Sequence, residues 1–196
     1  MRLIGMTGRS GCGKSTVSAV AESMGILVLD CDGIYREMTS RPSDCLRAIQ
    51  ETFGGETVRD GALYRPALRE KVFRDPGEMA RLNEITARYM TAEIDSRLQN
   101  TTAEIAILDA PTLFESGMQS VCDDLLCVTA PEESCIRRIM LRDCISREDA
   151  LLRLNSQRSE SFFIENCNFH LHNDGDIETF RSSAHTLLSA IKKGEI

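Results

Sequence analysis

Several things are missing from this sequence, and each absence removes a class of protein. There is no excess of positive charge: 23 lysines and arginines stand against 30 carboxylates, for a net charge of −7. A broad basic footprint for nucleic acid is therefore excluded, and any polyanion must be met by a local cationic pocket. No apolar run approaches the ~20 residues of a membrane-spanning helix, so no membrane partner is expected. Met1 leads straight into the strand-like RLIGM, without a basic and apolar leader pattern before it. Internal repeats, low-complexity tracts and flexible linkers are also absent.

Eight cysteines are present, at 12, 31, 45, 122, 127, 135, 144 and 167, yet no C-x-x-C pair occurs among them. The one Cys/His grouping, Cys167 with His170 and His172, lacks an obvious fourth ligand, so no metal site is expected there. Free, mostly buried thiols in a reducing cytoplasm are the expectation. Cys12 has a second reading as a reactive thiolate, because it stands near a helix N-terminus.

What is present suits one α/β domain. With 42% hydrophobic and 27% charged residues, the 196-residue chain has the make-up and length to bury a real core. Short apolar runs without alternation, LIGM (3–6), ILVL (26–29), IAIL (105–108) and LLCV (125–128), each lead into a loop and a helical pattern. That is the pattern of buried parallel strands in βαβ units. FHLH (169–172) alternates and is placed as a fifth strand at an edge. Helices are expected over 14–24, 67–73, 76–98, 132–142, 146–157 and 176–192, several opened by Pro or Ser. The gap between the second and third strands exceeds a simple crossover and must hold several helices. The expected architecture is a three-layer α/β fold with a mostly parallel five-stranded sheet. A helical insertion over about 60–100 and a short helical lid over about 143–166 complete a single domain, 1–196.

Gly8 to Ser15 spells G-x-x-x-x-G-K-S between a strand and a helix, so the expected α/β fold is a three-layer P-loop NTPase fold. Gly8, Gly11, Cys12 and Gly13 form a turn whose backbone N–H groups point at phosphate oxygens. Lys14 reaches the β- and γ-phosphates as a point charge, Ser15 offers a hydroxyl to Mg²⁺, and Thr16 adds a contact near the α-phosphate. Arg9 has no backbone duty in this motif and is placed facing solvent.

Carboxylates follow two strand ends, where ligands bind in open α/β sheets. Asp32 is the candidate base for an attacking hydroxyl. Asp30 is open between orienting its neighbour and capping a helix that starts near Gly33. Asp109 in ILDAPTLFESG is suited to hold a magnesium-bound water, with Leu113 and Phe114 as an apolar wall beside it, Phe114 being read first as a core residue.

Taken together, TGRSGCGKST, LDCDGIYRE, FGGETVRDGALYRPALREKVF, LDAPTLFESG, IRRIMLRDCISREDALLRLNSQ and HNDGD resemble the dephospho-coenzyme A kinase family. The loop is common to many families; the order D-x-D, R-x-x-L-R-x-x-V-F, D-x-P-x-L-F-E, R-D-x-x-S-R-E is far more specific. The resemblance implies that ATP phosphorylates the ribose 3′-hydroxyl of dephospho-coenzyme A, with Mg²⁺, as the last step of coenzyme A biosynthesis. By it, Asp32 is the base, Arg36 lies near the acceptor, and Arg138 and Arg142 neutralise the transferring phosphoryl, Arg142 being favoured. Arg65 and Arg69 are placed on the acceptor's phosphates or in surface ion pairs. The acceptor side thus comprises Asp32, Arg36, Arg65, Arg69, Asp109, Leu113 and Phe114. The sequence departs from the family pattern at Arg9, where a glycine is usual, and at Ala87 and Arg88, which replace a His-Pro pair. It departs again in RSESFFIENCN, where only Arg158 precedes an aromatic pair. A kinase for another nucleoside-containing acceptor, and a nucleotide-binding regulator without catalysis, are the alternatives.

Overall fold

RLIGMT, at the start of the chain, has five of its six residues buried. A strand hidden on both faces in this way needs neighbours on both edges and cover above and below. In the computed structural model, which describes residues 1–73 and 75–196, this strand, β1 (Arg2–Thr7), is the centre of a five-stranded sheet. The others are β2 (Leu27–Asp30), β5 (Ile105–Asp109), β6 (Asp124–Thr129) and β7 (Phe169–His172), in the order β2-β5-β1-β6-β7. β1 runs parallel to β5, with Ile4 opposite Ile107, and parallel to β6, with Met6 opposite Leu126. β7 pairs parallel with β6 and closes the order as an edge strand, only Leu171 of its four residues being buried. The two remaining strands, β3 (Val58–Arg59) and β4 (Ala62–Leu63), form a separate antiparallel pair.

The chain divides into two compact units, Met1–Leu29 with Thr102–Ile196, and Asp30–Thr101. The first contains the sheet and the helices α1 (Lys14–Ser23), α6 (Glu132–Asp143), α7 (Arg147–Asn155), α8 (Glu160–Asn166) and α9 (Ile177–Lys193). Their core joins Ile4 and Met6 of β1 to Val17, Ile136, Leu154, Phe180 and Leu188 from the helices. Burying side chains of this size stabilises the fold by roughly 1.5–3 kcal/mol each before entropy is counted. The helix starts follow from the sequence: Ser146, Ser159 and Asp176 each accept a hydrogen bond from a backbone N–H of the first turn.

The second unit holds α2 (Cys31–Ser40), α3 (Asp44–Phe53), the β3–β4 hairpin, α4 (Arg65–Val72) and α5 (Pro76–Gln99). Asp60 and Gly61 make the hairpin turn, both at positive φ (52° and 74°), which is the signature of an Asp-Gly two-residue loop. Cys45, Ile49 and Phe53 of α3 pack with Leu68 and Val72 of α4 into a second core. The helical insertion read from the sequence falls within this unit, which begins earlier, at Asp30. α3 lies outside the helices expected from the sequence, although Cys45, Ile49 and Phe53 recur at helical spacing. So does α8, whose seven residues are too few for a periodic signal.

The fold is the α/β arrangement expected, a mostly parallel five-stranded sheet with helices. No helix among the described residues is long and apolar enough to cross a membrane.

Candidate active site

The loop between β1 and α1 is shaped by glycines that no other residue can replace. Gly8 sits at φ 143°, and a Cβ there would stand 2.2 Å from the Val128 carbonyl oxygen of β6. Gly13 sits at φ 112°, and its Cβ would meet Asn173 Nδ2 at 2.4 Å. Both positions combine a backbone that L side chains avoid with a space already filled. The loop is therefore pressed against the sheet.

Gly13 is also the N-cap of α1, and this helix start has no side-chain cap and no acidic residue in its first turn. Its leading N–H groups and the positive end of its dipole are thus left for an external anion. Lys14 adds a full charge, its Nζ resting 2.8 Å from the Gly8 carbonyl oxygen. Ser15 and Thr16 follow in the same turn, and Thr16 N–H donates to Gly13 O at 3.0 Å. Unblocked N–H groups, a lysine and a hydroxyl at one helix start suit the phosphates of a nucleotide with its magnesium.

Side chains from distant parts of the chain brace the loop. Arg138 of α6 donates to the carbonyl oxygens of Gly11 (3.0 Å) and Cys12 (3.4 Å). Asn173 Nδ2 donates to Cys12 O at 2.8 Å, and the Asn173 N–H donates to Thr129 O. Arg142, at the end of α6, pairs with Asp143 through two contacts of 2.8 Å and reaches Ser10 Oγ at 3.4 Å. Arg153 of α7 shares the same Asp143 carboxylate. The Arg142 hydrogen bonds, with Arg153 beside them, hold the Asp143 carboxyl below the usual carboxylate range.

Arg9 corrects the sequence reading. Rather than facing solvent, its side chain is 15% exposed. Nη2 donates to Leu154 O at 3.0 Å and Nη1 approaches Glu132 at 3.4 Å. Beside it, Ser10 N–H donates to Gln157 Oε1 at 2.9 Å.

Asp109, at the end of β5, accepts from Ser18 Oγ of α1 at 3.1 Å. Leu113 is fully buried. Phe114 meets Phe162 of α8 edge-on at 5.0 Å and Phe163 at 6.1 Å. Arg158 lies 4.2 Å over the Phe162 ring and pairs with Glu115 at 2.8 Å. α8 is therefore held to the segment after β5 by edge-on and tilted aromatic contacts and, through Arg158 just before it, by an ion pair.

Cys12 is buried, and burial pushes its thiol pKa up despite nearby Lys14. Burial and the raised pKa both disfavour the thiolate that the reactive reading requires. All eight cysteines are free. His172 Nδ1 is 2.8 Å from Thr129 Oγ1, and His170 Nε2 is 2.9 Å from Cys167 O. No group of three metal-ligating side chains occurs among the described residues.

In the second unit, α2 starts at Cys31, so Asp32 lies in its first turn and Arg36 one turn later. Asp30 occupies the N-cap position, but its side chain makes no capping hydrogen bond. Arg65, opening α4, lies 5.7 Å over the Tyr35 ring of α2. Arg65 and Arg69, with Pro66, Glu70 and Phe73, line a cavity of about 550 Å³. Phe73 is 71% exposed and within 6.0 Å of the Arg69 guanidinium. Two arginines beside an exposed ring suit an anionic ligand with a planar or apolar part.

Gly8, Gly11, Cys12, Gly13, Lys14, Ser15, Thr16, Asp109 and Arg142, all expected from the sequence at the nucleotide site, lie around one loop of the first unit. Asn173, Gln157 and Ser18 join them without any role expected from the sequence. Ser18 lies one turn from Lys14 on α1 and was findable from helical spacing; the other two make contacts that local pattern cannot reveal.

A family model for dephospho-CoA kinase matches residues 2–179. Dephospho-CoA kinase of Latilactobacillus sakei is 34% identical over 191 residues, covering 96% of this chain and 95% of that protein. The enzyme of the same name from Anaeromyxobacter dehalogenans is 35% identical over 198 residues, with coverage of 99% and 94%. Among solved structures, dephospho-CoA kinase from Campylobacter jejuni superposes with a TM-score of 0.72 at 25% identity, covering all of both chains. Shikimate kinase from Bacteroides thetaiotaomicron, at 14% identity and TM-score 0.55 over 96% and 98% of the chains, shares the fold.

Proposed function

Since the chain belongs to the dephospho-CoA kinase family, we propose that it transfers the γ-phosphoryl of ATP to the ribose 3′-hydroxyl of dephospho-coenzyme A. The products are coenzyme A and ADP. The observation that carries this reading is the loop itself, with an uncapped α1 start and Lys14 beside it. A diphosphate held there leaves the terminal phosphoryl to be placed and neutralised, which is most of what phosphoryl transfer asks of a protein.

The residues divide the work. The backbone from Gly8 to Gly13 cradles the phosphates, Lys14 supplies a point charge, and Thr16 adds a contact near the α-phosphate. Ser15 would hold magnesium, with the Asp109 carboxylate, which accepts from Ser18 Oγ, beside it. When bound, magnesium supplies charge neutralisation on the phosphate oxygens. Asp32 takes the proton of the 3′-hydroxyl, and Arg36 with Arg65 and Arg69 receives the acceptor's anionic groups, Phe114 offering an apolar surface. Arg142 stabilises charge on the phosphoryl, and Arg138 holds the loop through Gly11 and Cys12. α7 and α8 act as a lid that excludes water and so prevents ATP hydrolysis. The reaction runs in the cytoplasm, where the eight thiols stay reduced.

The test is direct. Purified protein is mixed with ATP, Mg²⁺ and dephospho-coenzyme A, with other nucleosides as competing acceptors, and ADP and coenzyme A are followed. Formation of coenzyme A in step with ADP is expected. Turnover of nucleosides without dephospho-coenzyme A, or ATP binding without any turnover, overturns the proposal.

A further inference from the structure

Arg9 is not required by the backbone. It is absent from the positive-φ positions, and the adjoining turn closes through main-chain atoms, Cys12 N–H to Arg9 O at 3.3 Å. What distinguishes Arg9 is where its guanidinium goes. Nη2 donates to the carbonyl of Leu154, in the last turn of α7, and Nη1 turns to Glu132 in the first turn of α6. Carbonyls at a helix C-terminus have no partner within the helix and carry the negative end of its dipole. A guanidinium is well suited to cap them. The phosphate loop therefore supplies a cation that caps α7.

A second tether lies beside it. Ser10 N–H donates to Gln157 Oε1, two residues after α7 ends, and the Gln157 N–H shares the Leu154 carbonyl at 3.1 Å. Two adjacent residues of the loop thus hold the end of α7, Arg9 at Leu154 and Ser10 at Gln157, three residues on. Directly before Leu154 is Arg153, which meets Arg142 on the Asp143 carboxylate. Loop, helix end and the two arginines form one connected set.

We propose that Arg9 is a positioning residue for phosphoryl transfer, fastening the C-terminal end of α7 to the phosphate loop so that Arg142 and Arg153 keep their places relative to the transferring phosphoryl. The inference rests on the reading of the loop as the ATP site. Arg9 does not act as a phosphate ligand: both Nη groups are engaged on the protein side, and the side chain is mostly buried.

The experiment compares wild type with Arg9→Gly, which deletes the tether, and Arg9→Lys, which keeps charge and bulk but cannot fork between two acceptors. Three quantities are read: kcat, the Kd of MgADP by calorimetry, and amide hydrogen exchange. In Arg9→Gly, kcat falls about ten- to a hundredfold through misplacement, while MgADP affinity stays within about twofold, the phosphate ligands being untouched. Exchange across 147–157 accelerates by about tenfold, the loss of one charge-assisted hydrogen bond, with the sheet unchanged. Arg9→Lys shows the same pattern, weaker. A tenfold loss of MgADP affinity with kcat kept would make Arg9 a phosphate ligand and overturn the proposal. So would unchanged exchange across 147–157 in both variants. If wild type turns over no dephospho-coenzyme A, the failure belongs to the proposed reaction, and the exchange and MgADP measurements still decide the role of Arg9.

Discussion

Asn173 and Cys12 are 161 residues apart in sequence, yet the Asn173 amide donates to the Cys12 carbonyl at 2.8 Å inside the protein. Asn173 is 4% exposed and fills the space that a side chain at Gly13 would need. Replacing Asn173 with Ala leaves a buried carbonyl with a poorer set of donors and opens a gap behind the loop. A loss of about 1–3 kcal/mol in unfolding free energy is expected, measured by urea denaturation. MgATP affinity should fall with it. Gly13→Ala should be worse, since its Cβ strikes Asn173 and its φ is forbidden to alanine.

Asp32 lies at the start of α2 with no role in capping assigned to it. As the proposed base it acts only in the chemical step. Asp32→Asn should lower kcat by about 10²–10⁴ and leave the Kd of MgATP nearly unchanged. Steady-state rates with dephospho-coenzyme A and calorimetry with ATP separate the two. A variant that keeps near-normal kcat rules Asp32 out as the base.

Cys144 ends α6 in the left-handed region at φ 52°, the position where glycine is the usual residue. A non-glycine residue there costs about 1–2 kcal/mol, offset in part by the greater freedom of glycine in the unfolded chain. Cys144→Gly should therefore stabilise the protein by about 0.5–1 kcal/mol. The denaturation midpoint should rise with an unchanged m-value.

Thiol reactivity should follow burial. Cys12 is 1% exposed with its pKa raised, and burial pushes Cys122 and Cys135 up to about 11. Cys144 is exposed. Iodoacetamide at pH 8, read by peptide mass spectrometry, should label Cys144 first and leave Cys12 to the unfolded protein. Early labelling of Cys12 would show the loop opening locally.

Asp143 titrates below its ordinary value because Arg142, and then Arg153, favour its charged form. A carboxylate whose folded pKa is depressed stabilises the protein above its unfolded pKa. That contribution fades as pH falls through the folded value. The acid side of the stability profile, below the ordinary aspartate range, should be flatter in Asp143→Asn than in wild type. Chemical denaturation at a series of acidic pH values tests this, and added salt should shrink the difference because the group is partly open to solvent.

The five sheet strands and most of the helices were legible in the sequence because their causes are local. Short unalternating apolar runs bounded by turns, such as IAIL, suit strands buried on both faces, and Ser146 and Pro76 announce helix starts by their own chemistry. The phosphate loop was legible for the same reason: glycine spacing and Lys14 encode a backbone shape and a charge within eight residues. α3 and α8 escaped because one lies in a segment without strand punctuation and the other is too short for a periodic signal.

The neighbours of the loop were a matter for the tertiary structure. Arg138 reaches Gly11 across 127 residues and Gln157 reaches Ser10 across 147. In the sequence each is only a polar residue on or after a helix, as suited to solvent as to the loop. Arg9 shows the difference: its identity is visible in the sequence, but whether its guanidinium meets water or the end of α7 depends on how α6 and α7 pack. Local sequence determined the anion site, because backbone conformation and helix starts are short-range. Which side chains hold that site in place was decided only when the sheet and helices brought distant residues within hydrogen-bonding reach.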